Sequence, residues 1–133
     1  NNACVVDCSF ALNVDGSLVD NSTCGCLANY YWNPTLLTCN ANCSTTANPY
    51  ASSTTPNNNG SCPCRTGTVW TWSTATCDLD CRSVQNSNQT LPSNNNCECL
   101  NSAYVWIPQN LTCTLNCTAA ANSTGTKIDE NTC

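Results

Sequence analysis

The sequence has no histidine and no methionine, and its only basic residues are Arg65, Arg82 and Lys127 among 133 positions. Without an imidazole base, neither a Ser-His-Asp nor a Cys-His catalytic set can be assembled. Zinc sites favour histidine or C-x2-C pairs, and the sequence offers neither. Three cations against eight acidic residues give a net charge of -5. Such a chain lacks the basic face that a phosphate backbone requires, so nucleic acid is not an expected partner. No apolar run approaches the ~20 residues needed to span a bilayer. Leu, Ile, Val and Phe are sparse, so one large hydrophobic core is not expected. Asp15, Asp20, Asp129 and Glu130 fall in expected loops and read as solvated charges. The expectation is a non-catalytic protein with no metal and no cofactor.

What is abundant is cysteine, with 15 residues. That fraction marks a disulfide scaffold and an oxidising compartment, outside the cell or on its surface. The chain opens abruptly at Asn1-Asn2-Ala3-Cys4 with no signal-like segment, which reads as a processed form or a piece of a longer chain.

The cysteines stand at 4, 8, 24, 26, 39, 43, 62, 64, 77, 81, 97, 99, 113, 117 and 133. Their spacing repeats: C-x3-C, a long gap, C-x-C, a shorter gap, then C-x3-C again. Units start at Cys4, Cys39, Cys77 and Cys113. A period of this size signals a linear array of small modules. Other residues keep the register. Trp32, Trp70 and Trp106 each stand seven positions before a closing cysteine, and Thr38, Thr76 and Thr112 directly precede it. Asp7, Asn42, Asp80 and Asn116 each precede the second cysteine of C-x3-C. The units are residues 1–38, 39–76 and 77–112, with a partial fourth at 113–133.

Within a unit, C-x-C is followed by Tyr30-Tyr31-Trp32, Thr68-Val69-Trp70 or Tyr104-Val105-Trp106. Aromatic and β-branched residues favour strands. Turn formers follow at Asn33-Pro34 and Pro108-Gln109-Asn110, so each run predicts a short hairpin ending at the closing cysteine. The register tryptophans are expected in a mini-core, and the out-of-register Trp72 at the surface. The remaining segments are expected as loops. The longest spans 44–61, and only 118–129 has weak helical character.

C-x-C, an aromatic hairpin and a closing cysteine resemble the second half of the epidermal growth factor-like module. The string "CGCLANYYWNPTLLTC" is similar to cysteine-rich tandem repeats of large extracellular and surface glycoproteins of unicellular eukaryotes. That module has six cysteines, whereas each unit here has four. The acidic and amide cluster of its calcium-binding form is not reproduced at "NNACVVDCS". The resemblance implies a small disulfide-rich fold: tandem modules with short β-hairpins, little helix and an elongated rod. It also implies a pairing: Cys26–Cys39, Cys64–Cys77 and Cys99–Cys113 closing hairpins, with Cys8–Cys24, Cys43–Cys62, Cys81–Cys97 and Cys117–Cys133 closing the longer loops. Cys4 is left for a preceding repeat or another chain, the alternative being a free thiol. Connectivity is not fixed by sequence.

N-x-S/T sequons occur at Asn21, Asn42, Asn59, Asn88, Asn110, Asn116 and Asn122. Asn33 fails the pattern because proline follows. Asn2, Asn95 and Asn131 form the rarer N-x-C pattern. The composition alone produces several sequons, so position carries more weight than number. Asn21 and Asn59 sit three before the first cysteine of C-x-C, and Asn110 lies in a hairpin turn. Covalent N-glycans are expected, and O-glycans are a candidate in the Ser/Thr-rich loop 44–61. Two functions follow. One is a structural extracellular glycoprotein, a segment of a rod that builds a filament, appendage or cell coat by self-association or as a continuous repeat chain. The other is a surface antigen, adhesin or receptor binding module.

Overall fold

The computed structural model describes residues 4–119, 122, 124–126 and 132–133. The chain is a succession of two-stranded antiparallel hairpins: β1 (Val14–Asp20) with β2 (Thr23–Cys26), β3 (Tyr30–Asn33) with β4 (Thr38–Ala41), β5 (Thr68–Thr71) with β6 (Thr76–Leu79), and β7 (Tyr104–Ile107) with β8 (Thr112–Leu115). Among the described residues the only helical pieces are two 3-10 turns, Cys8–Phe10 and Cys81–Ser83. Of the segment 118–129, the described residues form turns and bends, while 120, 121, 123 and 127–129 lie outside the described residues. The small disulfide-rich fold of short hairpins expected from the sequence is the fold observed.

The β3–β4 and β7–β8 hairpins share one register. Trp32 lies opposite Cys39, and Trp106 opposite Cys113. Each of these two tryptophans therefore faces its closing cysteine across the hairpin. The turns are also equivalent. Pro34, Trp72 and Pro108 open them, and Leu37, Ala75 and Leu111 close them with φ of 52°, 55° and 54°. Non-glycine residues seldom adopt this left-handed backbone, yet here it recurs at one register position.

Seven disulfides close the chain locally: Cys8–Cys24, Cys26–Cys39, Cys43–Cys62, Cys64–Cys77, Cys81–Cys97, Cys99–Cys113 and Cys117–Cys133. Their sequence separations run from 13 to 19 residues. Closing a loop of about 15 residues contributes about 3 kcal/mol in the chain-entropy account. A module of this size cannot be held by apolar burial alone, so the bridges supply much of what a core would.

By internal contacts the chain forms two compact units: Asn1–Arg65 with Trp70–Asp78, and Thr66–Val69 with Leu79–Cys133. The first has a core built largely of sulfur. Cys39, Cys43, Cys62 and Cys77 cluster with Tyr30, Ala41 and Ala75, and Trp32, Tyr50 and Trp70 pack against them. In the second, Leu79, Val84 and Leu111 are buried with Cys81, Cys97, Cys113 and Cys117.

One expectation is corrected. The segment between Cys8 and Cys24 is not a loop but contains the β1–β2 hairpin, so Asp15 and Asp20 lie on a strand. The ribbon is irregular: Val14 pairs with Cys26 and Leu18 with Cys24, with register shifts between. Nearly all of β1 is exposed. It therefore has no buried face, and no alternating pattern marks it in the sequence. In the next two units the same ribbon shrinks to isolated bridges, Ala51 with Cys64 in one, and Ser87 with Cys99 and Ser93 with Asn96 in the other.

Candidate functional site

The asparagines are the residues in which the fold and a possible modification meet, and they divide by what their side chains hold. Asn13, Asn48 and Asn86 each stand five residues after the second cysteine of C-x3-C. Asn13 Nδ2 donates to the Cys39 carbonyl at 3.0 Å, and Asn86 Nδ2 to the Cys113 carbonyl at 3.4 Å. Asn48 Nδ2 donates to the Ala75 carbonyl at 3.3 Å, and its Oδ1 accepts from the Cys77 N–H at 3.0 Å. Each amide ties its long loop to the backbone at the cysteine that closes the following hairpin. Asn48 is 0% exposed. A Ser/Thr-rich loop is thus anchored by a fully buried amide. Asn122 holds the same register position, with the same left-handed backbone as Asn13 and Asn86, and is exposed.

The position before the second cysteine of C-x3-C has a different task. Asp7 Oδ1 accepts from the Ser9 N–H, Asn42 Oδ1 from the Ser44 N–H, Asp80 Oδ1 from the Arg82 N–H and Asn116 Oδ1 from the Thr118 N–H. These are Asx turns, in which a short side-chain oxygen replaces a backbone acceptor. Aspartate and asparagine serve equally. The recurrence of Asn42 and Asn116 at this position therefore has a conformational cause that needs no glycan.

The sequon asparagines differ in exposure. Asn21, Asn42, Asn59, Asn110 and Asn122 are exposed, while Asn88 and Asn116 are half-buried. At Asn59, Asn88 and Asn116 the amide oxygen also accepts from the hydroxyl two residues on, Ser61, Thr90 and Thr118, each at 2.7 Å. Nδ2, the atom a glycan would occupy, donates to Glu98 Oε2 at 2.7 Å in Asn88. In the loop 44–61, Thr45, Thr46 and residues 52–55 are exposed, whereas Ser61 is buried. Asn95 is exposed with a left-handed backbone; Asn2 and Asn131 lie outside the described residues. Cys4 is an exposed free thiol.

The acidic groups are solvent-facing and hydrogen-bonded. The Ser9 hydroxyl and amide hold the Asp7 carboxyl below its ordinary pKa, and the Ser17 hydroxyl and amide do the same for Asp15. The Ser22 amide and hydroxyl lower Asp20. The Arg82 guanidinium, 2.8 Å away, lowers Asp80, and Asp80 raises Arg82 in return. Burial pushes the Tyr30 phenol up. Asp129, Glu130 and Lys127 lie outside the described residues. Among the described residues no three His, Cys, Asp or Glu side chains stand close enough to hold a metal ion, and no helix is long and apolar enough to cross a membrane.

Trp32 Nε1 donates to the Ser22 carbonyl at 3.1 Å. Among the described residues the buried indole nitrogen of Trp106 meets no hydrogen-bond partner. Trp72, in the β5–β6 turn, is 52% exposed and meets Trp70 edge-on with ring centroids 6.0 Å apart. The register amides Asn13, Asn48 and Asn86 are absent from the sequence-based site. Their common offset from the preceding cysteine was the signal that marks them. Comparison with protein-family models, curated proteins and solved structures finds no match.

Proposed function

We propose that the chain is a structural glycoprotein of the extracellular space or cell surface, a stretch of tandem modules that builds a filament, appendage or coat. The observation that carries this reading is the local closure of every module. Seven short-range disulfides and four small hairpins stabilise the chain piece by piece, and so many disulfides suit an oxidising, secretory environment. Such modules can be added end to end without a shared core. The alternation of C-x-C, hairpin and closing cysteine supports an epidermal growth factor-like descent. Exposed sequons on the turns support a glycan coat, which would keep an array with many exposed Leu and Val side chains soluble. Cys4 is then available to a further repeat or a second chain.

Two measurements test this. Electron microscopy of the native material should show long uniform fibres; dispersed monomers would overturn the filament reading. Mass spectrometry before and after glycosidase treatment should show a mass loss, with sites among Asn21, Asn42, Asn59, Asn88, Asn110, Asn116 and Asn122.

A second reading, a recognition module, is favoured by Trp72. It is a large exposed ring in a turn where the equivalent positions are proline. Under that reading Trp72→Ala abolishes partner binding without loss of folding, and under the structural reading the same change is silent.

A further inference from the structure

Asn42 differs from the other sequons in what surrounds it. It follows β4, and Tyr31 of β3 stands beside it. The two residues together line a groove of about 230 Å³, with Asn29, Thr74, Ala75 and Thr76 among its other walls. They also line a second, more open groove on the side of Trp32, Pro34 and Pro56. Tyr31 and Asn42 are therefore the shared ridge between two depressions.

Three details of this ridge point to a sugar. First, Asn42 Oδ1 is fixed by the Ser44 N–H at 3.0 Å, while Nδ2 has no hydrogen-bond partner among the described residues. The amide is held still and its attachment atom is bare. Second, Tyr31 is 63% exposed, although it sits on a strand whose neighbours Tyr30 and Trp32 pack into the core. A sugar ring has faces of C–H groups that stack on an aromatic ring, and polar edges that seek donors and acceptors; an aromatic side chain with a polar tip meets both needs. Third, the groove wall is amphipathic in the same sense. The Thr74 and Thr76 hydroxyls lie 2.7 Å apart, and Asn29 Nδ2 donates to the Thr74 carbonyl at 3.2 Å, which fixes the rim. Asn21 also lines a groove, but its companions there include Val5, Pro34 and Leu37 and no aromatic ring.

We infer that Tyr31 and the groove beside it form the seat of the first sugar of an N-linked glycan on Asn42. The inference depends on the glycoprotein reading above and goes beyond it by assigning a binding surface within the chain. The seated sugar covers Tyr31, fills the gap bounded by Thr74 and Thr76, and so fastens β3–β4 to the turn between β5 and β6. The glycan at this site is a structural part of the fold.

The test is a double-mutant cycle on protein secreted from a eukaryotic host, with disulfides intact and glycans trimmed to the single attached sugar. Ser44→Ala removes the sequon while keeping Asn42. Tyr31→Ala is expected to lower the folded-to-unfolded ratio about three- to tenfold more in the glycosylated chain than in the Ser44→Ala chain. Tyr31→Phe should restore most of that difference. In nuclear magnetic resonance spectra, protons of the Asn42-linked sugar should be shifted upfield by the ring, and Tyr31→Ala should abolish the shift. An occupied Asn42 with no coupling and no shifted protons overturns the seat and leaves the glycoprotein reading standing. An unmodified Asn42 among occupied sequons also overturns the seat alone. A chain unmodified at every sequon overturns both.

Discussion

The Asn48 amide holds the backbone on both sides of Thr76 through its two polar atoms, accepting from the Cys77 N–H at 3.0 Å and donating to the Ala75 carbonyl at 3.3 Å. With no exposed surface, neither backbone group would gain water if the side chain were removed. Asn48→Ala should therefore cost about 2–4 kcal/mol, two buried hydrogen bonds with the desolvation of their orphaned partners. Asn86→Ala, whose single bond is longer and only part-buried, should cost about 1 kcal/mol. Urea unfolding of the oxidised proteins measures both, and equal losses would refute the ranking.

Gly60 makes a second test. Its φ is +82°, and a Cβ there would lie 2.6 Å from both the Cys39 carbonyl oxygen and Asn13 Nδ2. The carbonyl belongs to a bridged strand and cannot withdraw. Gly60→Ala should destabilise by about 2–4 kcal/mol, combining backbone strain with overpacking. Gly16, at φ +86° with open space around it, carries the strain alone, so Gly16→Ala should cost only about 1–2 kcal/mol. The difference between the two in thermal unfolding isolates the clash.

A third concerns acid. Asp7, Asp15, Asp20 and Asp80 all have folded pKa values lowered from 3.8. A depressed carboxyl pKa stabilises the fold fully above the ordinary value, and that contribution fades as pH falls through the folded value. The turns should be unchanged from neutral pH down to about 5, then loosen below about 4. Amide exchange at Ser9, Ser22 and Arg82, corrected for intrinsic rates, should speed up only in that acid range. Loosening on the alkaline side would contradict the assignment.

Removing one bridge should act locally. Cys8→Ala with Cys24→Ala should cost about 3 kcal/mol by the loop-entropy account. Exchange protection should fall in β1 and β2 and persist in β3 and β4, which Cys26–Cys39 closes separately. Loss of protection in both hairpins would show that they are one cooperative unit.

The hairpins beyond C-x-C were legible because a strand-forming run meets a cysteine at fixed register in all three, with a turn former between them in two. β1–β2 was hidden because Val14–Asp20 exposes almost every side chain, so nothing alternates. Asn13, Asn48 and Asn86 were in plain view, yet in an asparagine-rich chain their common offset does not stand out from the background. The left-handed Leu37, Ala75 and Leu111 carry no local signal at all, since leucine and alanine are not residues that seek that conformation. For the sequons, composition marked every asparagine alike. Only the fold separates Asn42, with its bare nitrogen beside Tyr31, from Asn88, whose nitrogen is occupied by Glu98.

Counted from Cys8, the cysteines pair two by two in sequence order, each bridge joining one cysteine to the next. During synthesis, which proceeds from the N-terminus, no thiol has to wait for a distant mate: the correct one is always the next to emerge. A single slip would propagate: were Cys4 to take Cys8, neighbour pairing would shift by one place at every later cysteine, and Cys24 would be offered Cys26 instead of Cys8.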